Sequence, residues 1–460
     1  MAAAAAVAAL VALSAWARWR ALASSPYPVG VDGYYYAVQL RGLLESGQLA
    51  YPASPLGFWL MAPLAAATDP ITGAKLGAAL GGALVAVPAF GLGRRLGGGA
   101  SGGVAAAAVA ATSAGSVYLS LEFVKQGLGV SVGLAALWAI ARALERPSAG
   151  RIAAAGAGVL AAALTHKTAA VLVALAAAPA LLVELRARRR LGARAAIAAA
   201  VVIGLAAVAG VLAPARFVGA RDLALVAGLV GEARWVGVEA LLAGAIGAAV
   251  LVLLATGRRD ASSRPADRAL AAALAALGVA IALPWLDVAD PDGLGYRLRA
   301  LAFVPLALGI ATAGGAAIRR PRFRAAALLA VAAAWTATHL RPLPAGVVRA
   351  HPAMVAAVQA LRGVVPAGDV VITRDRQVAF QVAWYVRVPV RSGPEPVPPA
   401  RRWWLLTLAA IGDGSRLDRA LTRARAESAL APPRGLHPRD PNGLVVMPDA
   451  TWAWVQRQVP

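Results

Sequence analysis

The chain has 460 residues, of which 60% are hydrophobic, and its formal net charge at pH 7 is +23. A water-soluble fold of this composition would lack a polar surface, so the composition indicates a polytopic membrane protein. There are no cysteines, which excludes disulfides and thiolate metal sites, and only four histidines are present. The positive charge lies mainly between apolar segments, where it sets topology, so nucleic-acid binding is not expected.

Apolar segments in chain order predict eleven membrane spans. They cover residues 1–17, 76–93, 104–121, 126–141, 152–165, 168–183, 195–213, 237–256, 269–286, 300–318 and 325–338. Several are shorter than the ~20 residues that a helix needs to cross a bilayer, but snorkelling arginines at their ends make up the difference. The first segment has no convincing signal-cleavage site, so we expect it to remain as a helix.

Arginine clusters in alternate loops predict the orientation. They lie at 94–95, 142–151, 186–194, 258–268 and 319–324. Basic loops stay in the cytoplasm, so the N-terminus is predicted inside and everything after about 340 outside the inner (plasma) membrane. Arg18 and Arg20 follow the first span and oppose this orientation, but the later loops outweigh them.

The first outer loop, residues 18–75, carries an acidic residue beside three tyrosines. Its sequence runs Tyr27-Pro-Val-Gly-Val-Asp32-Gly-Tyr-Tyr-Tyr36, and the amphipathic stretch 38–45 follows. Arg41 and Glu45 lie four residues apart, on one face of the predicted helix. This pattern predicts a helix that lies on the membrane surface.

Residues 341–460 differ in character from the apolar region 1–340. Short apolar runs at 369–373, 402–407 and 443–447 predict buried strands, and helical patterns lie at 353–363 and 415–427. The proline-rich segment 389–400 is predicted to be a loop. The predicted fold is therefore an all-α polytopic membrane domain of about 11 helices followed by a small C-terminal α/β extracytoplasmic domain.

Titratable residues collect at the predicted outer ends of the helices, and none lies near the centre of a predicted span. They are Asp32, Glu45, Glu122, Lys125, His166, Lys167, Asp222, Glu232, Asp287, Asp290, Asp292, Arg297 and Arg299. An ion-coupled transporter would instead place such residues at mid-depth and show inverted repeats. The distribution predicts a site at the outer membrane–water boundary.

Simple structural explanations also exist for these residues. Asp32-Gly33 is a common turn dipeptide, and Glu122 with Lys125 has the spacing of a surface i,i+3 pair. His166-Lys167 is typical of a helix C-terminus.

Two further arginines favour a ligand. Arg297 and Arg299 lie on the predicted outer side, against the positive-inside pattern. That position favours an anionic ligand such as phosphate as the reason for the two charges.

The Asp-x-Tyr-Tyr sequence at 32–35, the following surface helix and the segment 51–56 before the second span together resemble the GT-C glycosyltransferases. This superfamily includes protein O-mannosyltransferases (family 39-type), lipid A aminoarabinose transferases and oligosaccharyltransferase catalytic subunits. The resemblance is strongest over 26–60 and continues weakly through 122–129, 165–167 and 296–299. It implies transfer of a sugar from a polyprenyl-phosphate donor to a lipid, glycan or protein acceptor on the extracytoplasmic face.

The resemblance also implies residue roles. Asp32 corresponds to the first-loop catalytic acid, which takes a proton from the acceptor hydroxyl or orients it, and Glu122 is the candidate second carboxylate. Tyr34 and Tyr35 are expected to stack against sugar or polyprenyl. Cations are expected to hold the lipid phosphate, and the candidates are Lys125, His166, Lys167, Arg297 and Arg299.

The chain also departs from the family pattern. Gly33 follows Asp32 where many members carry a second acid, and Trp403-Trp404 is followed by Leu405 rather than by the acidic motif of oligosaccharyltransferases. Transfer to an asparagine is therefore unsupported. Outer carboxylates would allow a divalent metal, but no ligand spacing requires one. A flippase of lipid-linked sugars and a non-catalytic assembly partner remain as alternatives, and the oligomeric state is open.

Overall fold

The computed structural model divides into two compact units. It describes residues 1–30, 32–187, 234–257, 264–282, 300–340, 352–363, 365–373, 376–391, 403–406 and 444–447. Unit 1 consists of Met1–Ser24, Pro52–Ala67 and Thr72–Gly346. Unit 2 consists of Ser25–Tyr51, Thr68–Ile71 and Val347–Pro460, so part of the predicted first outer loop groups with the C-terminal residues.

Helices dominate the described residues. In chain order they are α1 (Ala2–Leu22), α2 (Gly33–Ser46), α3 (Leu56–Ala67), α4 (Pro70–Ala83), α5 (Ala86–Leu96), α6 (Ala100–Thr112), α7 (Ala114–Glu122), α8 (Val124–Glu145), α9 (Ala149–Thr165), α10 (Lys167–Ala187), α11 (Arg234–Ala255), α12 (Pro265–Ala282), α13 (Phe303–Ala317), α14 (Pro321–His339), α15 (Pro352–Ala360) and α16 (Arg376–Tyr385). A 3-10 turn at Leu361–Gly363 follows α15.

Unit 1 is a multi-pass membrane bundle. Among the described residues, six helices are long and apolar enough to cross a bilayer, and the bent pair α6–α7 adds a seventh. The six are Ala2–Leu22, Pro70–Leu96, Val124–Glu145, Lys167–Ala187, Val238–Ala255 and Pro265–Ala282. The predicted span 195–213 lies outside the described residues, so the count of eleven stays a prediction.

Small residues let the helices of unit 1 approach closely. A Cβ atom added at Gly93 in α5 would lie only 2.3 Å from the Cβ of Ala106 in α6. Such contacts provide packing in a bilayer, where lipid tails are as apolar as the side chains themselves. At the predicted cytoplasmic end, Arg95 joins three helices, because it pairs with Glu145 at 3.0 Å and with Asp267 at 2.6 Å.

Two features of the N-terminal region differ from the prediction. The first helix continues to Leu22, so Arg18 is a helix residue with a buried side chain rather than part of a loop. As a buried helix residue, Arg18 does not report on the orientation of a loop, which explains why it opposes the signals of the later loops. The predicted first outer loop also contains α3, a short apolar helix that packs within unit 1.

Unit 2 contains a four-stranded sheet with the order β2-β1-β3-β4. The strands are β1 (Val370–Ile372), β2 (Val390–Arg391), β3 (Trp403–Leu406) and β4 (Leu444–Met447). Strand β1 is parallel to β2 and to β3, whereas β4 is antiparallel to β3. Parallel strands need a crossover, and α16 provides the one between β1 and β2.

The strands β1, β3 and β4 lie where the sequence predicts them. The proline-rich segment is not entirely a loop, because β2 begins at Val390 and pairs with β1. The predicted helix at 415–427 lies outside the described residues. Helix α16 was not predicted from the sequence.

Candidate functional site

Asp32 is the N-cap residue of α2. Its backbone oxygen accepts a hydrogen bond from the Tyr36 N–H at 3.2 Å, but its side chain makes no capping bond. The residue is half-buried. Unsatisfied N–H groups at a helix N-terminus favour an acidic residue, so the position suits an aspartate. The Asp32 side chain therefore contributes no capping hydrogen bond to α2.

Gly33 has no room for a side chain. A Cβ atom at this position would lie 2.8 Å from the Cβ of Pro28 and 3.0 Å from its carbonyl carbon. Such distances require the neighbouring chain to shift. The crowding gives a physical reason why no second acid stands beside Asp32.

Tyr34 and Tyr35 point into unit 2, where they contact α16. The Tyr34 hydroxyl is 2.8 Å from that of Tyr385, and the Tyr35 ring lies 5.0 Å from the ring of Phe380. Burial raises the pKa of the Tyr34 phenol well above its ordinary value, and the hydrogen bond to Tyr385 raises it further. Both rings thus hold α2 in place, and their stacking on sugar or lipid stays a prediction.

Arg41 fastens α2 to the C-terminal end of α16. Its guanidinium donates to the carbonyls of Ala383 and Trp384, both at 2.7 Å, and lies 4.8 Å from the centre of the Trp384 ring. The last carbonyls of a helix need such donors, and a cation also suits the helix dipole. Glu45 instead approaches Arg387 at 3.7 Å. The N-terminal half of α2, residues 33–40, is buried, and the position of the helix on a membrane surface stays a prediction.

Glu122 and Lys125 lie on either side of a helix break in unit 1. Glu122 is the last residue of α7 and is buried, with 6% of its surface exposed. Phe123 interrupts the helix with φ −131° and ψ 60°, and α8 begins one residue later. The pair is therefore not a surface i,i+3 pair. The Lys125 stem packs over Gly57, and its ammonium lies 5.7 Å from the centre of the Phe58 ring.

His166 lies between the end of α9 at Thr165 and the start of α10 at Lys167. Its Nδ1 accepts a hydrogen bond from the Thr168 N–H at 3.2 Å and lies 2.7 Å from the Thr168 hydroxyl. A Cβ atom added at Gly129, one turn after Lys125 in α8, would lie 2.9 Å from the Cβ of His166. The structure thus brings Lys125 and the His166-Lys167 pair to the same end of unit 1.

The remaining candidates lie in different units or outside the described residues. Asp32 belongs to unit 2 and Glu122 to unit 1. Arg297 and Arg299 lie outside the described residues. Within the described ranges, no group of three or more His, Cys, Asp or Glu side chains is placed to hold a metal ion. The metal requirement stays a prediction.

Two buried charges were missed by the sequence analysis. Arg18 and Glu239 are 1% and 3% exposed, and both contact the break between α6 and α7. Their sequence signal is weak, because each lies near one end of an apolar segment and looks like a boundary residue. The membrane bundle is therefore less free of charge than the sequence predicts.

Sequence comparison finds one family match. The profile of the dolichyl-phosphate-mannose-protein mannosyltransferase family matches residues 52–213. This range includes Glu122, Lys125, His166 and Lys167, but it begins after Asp32. Among curated proteins no sequence match is found.

Solved structures share the fold. An oligosaccharyltransferase from Archaeoglobus fulgidus, in complex with Zn and sulfate, aligns with 14% identity and a TM-score of 0.53 over 86% of this chain. The chain spans 64% of the length of that protein. ArnT from Cupriavidus metallidurans in the apo state aligns with 15% identity and a TM-score of 0.53, over 97% of this chain and 98% of its own.

The same ArnT bound to undecaprenyl phosphate aligns with 14% identity and a TM-score of 0.51, over 96% of this chain and 97% of its own. At such low identity these structures show the fold alone. The family profile matches residues 52–213, and the chain shares its fold with the oligosaccharyltransferase and with ArnT.

Proposed function

We propose that this protein transfers a sugar from a polyprenyl-phosphate donor to a lipid, glycan or protein acceptor on the extracytoplasmic face of the plasma membrane. The observation that carries the proposal is the Asp32 carboxylate, which lies at the N-terminus of α2 and makes no side-chain capping bond. A half-buried carboxylate that makes no capping bond to its own helix is available to a substrate hydroxyl. The family match and the shared fold supply the reaction class.

In the proposed reaction, Asp32 accepts the proton of the acceptor hydroxyl as its oxygen attacks the anomeric carbon of the sugar. The bond between that carbon and the phosphate oxygen breaks, and polyprenyl phosphate leaves with the electron pair. A general base must lie within hydrogen-bond reach of the proton that it removes. The phosphate leaving group gains negative charge during this step, so fixed cations near it lower the barrier.

The cations of unit 1 are the proposed phosphate-binding groups. Lys125 and Lys167 carry positive charge, and His166 is the third proposed group. They lie at the end of unit 1 that the sequence predicts to be extracytoplasmic. The undecaprenyl phosphate in the similar ArnT structure supports a polyprenyl phosphate as the lipid partner. Arg297 and Arg299 retain the same proposed role.

The flippase alternative gains no support from the buried charges. A path for a polar headgroup needs polar side chains that are available to it. Arg18 and Glu239 are instead engaged by neighbouring protein groups. We therefore propose the enzyme rather than the flippase.

The test is Asp32→Asn in purified protein supplied with a panel of polyprenyl-phosphate sugars. We expect release of lipid phosphate to fall by at least ~100-fold, which is the usual contribution of a general base. Expression and membrane insertion are expected to stay normal, because the Asp32 side chain does not cap α2.

The matched control is Asp69→Asn. Asp69 is exposed and accepts a hydrogen bond from the Ile71 N–H at 2.8 Å. The control is expected to keep full activity. Full activity of Asp32→Asn would overturn the role of Asp32, and transport of intact donor without lipid phosphate release would favour a flippase.

A further inference from the structure

The predicted third span is broken in its interior. Helix α6 ends at Thr112, Ser113 is extended with φ −53° and ψ 143°, and α7 begins at Ala114. The two helices differ in direction by 43°. A break leaves carbonyls of the first helix and N–H groups of the second without partners in their own helices, and a bilayer offers no water to satisfy them.

Arg18 engages the carbonyl side of the break. Its Nη2 donates to the carbonyl of Ala111 at 2.8 Å and to the Ser116 hydroxyl at 2.9 Å, and its Nε donates to the Ser120 hydroxyl at 2.9 Å. The Nη1 group donates to the backbone and side-chain oxygens of Ser14. All five guanidinium N–H donors are thereby used, so none remains for a ligand.

Gly82 leaves the space that this arrangement needs. A Cβ atom at this position would lie 2.0 Å from the Ser120 oxygen and 2.9 Å from the Arg18 Nε. The guanidinium therefore spans the C-terminal end of α6 and one face of α7.

Glu239 engages the amide side of the break. Its Oε1 accepts from the Ala114 N–H at 2.6 Å, and its Oε2 accepts from the Gly115 N–H at 2.9 Å. Gly115 is tightly enclosed, because a Cβ atom there would lie 2.4 Å from the carbonyl oxygen of Ala300. A cation at the C-terminus of one half-helix and an anion at the N-terminus of the other both complement the helix dipoles.

We propose that Arg18 and Glu239 are positioning residues for Glu122. Helix α7 has only nine residues, from Ala114 at the break to Glu122 at its end. A rigid element of this length transmits any change of direction at its first turn to its last residue. The two buried charges therefore set where Glu122, and Lys125 just beyond it, are presented. The catalytic role of Glu122 rests on the function proposed above.

The first test measures placement without activity. The chain has no cysteine, so Glu122→Cys gives a single thiol for a membrane-impermeant maleimide. We expect Glu239→Gln to raise the labelling rate of this buried position at least fivefold, because a neutral amide replaces one acceptor with donors. The control is Glu145→Gln, which removes an ion pair to Arg95 at the other end of the bundle. Its labelling rate is expected to change less than twofold.

Ser120→Ala is a milder second variant, since it removes one of the five acceptors of Arg18. It is expected to raise the labelling rate about twofold, and it provides the measurement if Glu239→Gln does not accumulate. An unchanged rate in these variants would overturn the proposal.

The second test uses turnover in otherwise native protein. We expect Glu239→Gln to lower kcat at least tenfold with the donor KM within twofold, and Glu239→Asp to recover part of the loss. If the variant accumulates less folded protein but its kcat per folded molecule is unchanged, Arg18 and Glu239 have a purely structural role. If labelling responds as expected while the wild type transfers no sugar, the positioning proposal stands and the proposed function fails.

Discussion

Asp32 and Glu122 both lie at a helix end, yet the two helices are held by different kinds of contacts. Helix α2 is held in unit 2 by buried aromatic rings and by hydrogen bonds from the half-buried Arg41 to carbonyls of α16. Helix α7 starts at buried charges inside an apolar bundle. Water screens charges near a surface, whereas a low-dielectric interior strengthens each polar contact and makes its loss costly. Damage around α2 should therefore be graded, and damage at the α6–α7 break should be severe.

The largest expected effect in unit 2 is that of Arg41→Ala. It removes two charge-assisted hydrogen bonds to α16, so we expect the free energy of unfolding of unit 2 to fall by about 3 kcal/mol. Hydrogen exchange at the α16 amides is the measurement.

Arg362→Ala is the matched control for Arg41→Ala. Among the described residues, the exposed Arg362 donates one hydrogen bond, to the Tyr385 carbonyl at 3.0 Å. This change is expected to cost less than about 1 kcal/mol. Equal losses in the two variants would contradict the idea that Arg41 fastens α2.

Lys125→Gln tests a proposed phosphate-binding residue of unit 1. Loss of one cation from a phosphate site is expected to raise the donor KM about tenfold, which is about 1.4 kcal/mol of binding, with little change in kcat. Steady-state kinetics at varied donor concentration measure KM and kcat. Arg146→Gln, at the predicted cytoplasmic end, should leave KM unchanged. An unchanged KM in Lys125→Gln would remove this residue from the phosphate site.

Tyr385→Phe is expected to have a smaller effect. It removes the hydroxyl partner of Tyr34 and should lower the stability of unit 2 by about 1 kcal/mol. Chemical denaturation at pH 7 would measure the change. A neutral result would mean that ring packing alone holds the start of α2.

The smallest expected effect is confined to alkaline pH. The raised pKa of Tyr34 means that the folded protein holds the phenol proton more tightly than the unfolded chain, whose value is near 10.0. This contribution is complete below about pH 10 and is lost as pH rises further. Tyr34→Phe should flatten the alkaline decline in the stability of unit 2, and an unchanged pH profile would contradict the assignment.

Sequence reasoning located the elements whose signal is local. The strands at 370–372, 403–406 and 444–447 are short runs of apolar residues, largely β-branched or aromatic, as expected for strands. Helix α16 was missed because its apolar residues face both the sheet and α2, which obscures a single stripe.

Contacts between distant residues were not predictable in this way. No proline marks the break at Ser113, and the amides that follow it are bonded by Glu239, more than a hundred residues further along the chain. A charge next to an apolar window looks like a loop residue, as Arg18 did, until its partners are known. Likewise, nothing near Arg41 in the sequence indicates the carbonyls of α16.

The crowding at Gly33 also restricts the substitutions by which this chain might acquire a second carboxylate. Replacing Pro28 by glycine would remove the Cβ at 2.8 Å, but the carbonyl carbon at 3.0 Å belongs to the main chain and would remain. A single change at Gly33 is therefore blocked, and so is the two-step route through Pro28. Only a rearranged backbone before α2 would open the position, so a side chain at position 33 is not within reach of a single substitution.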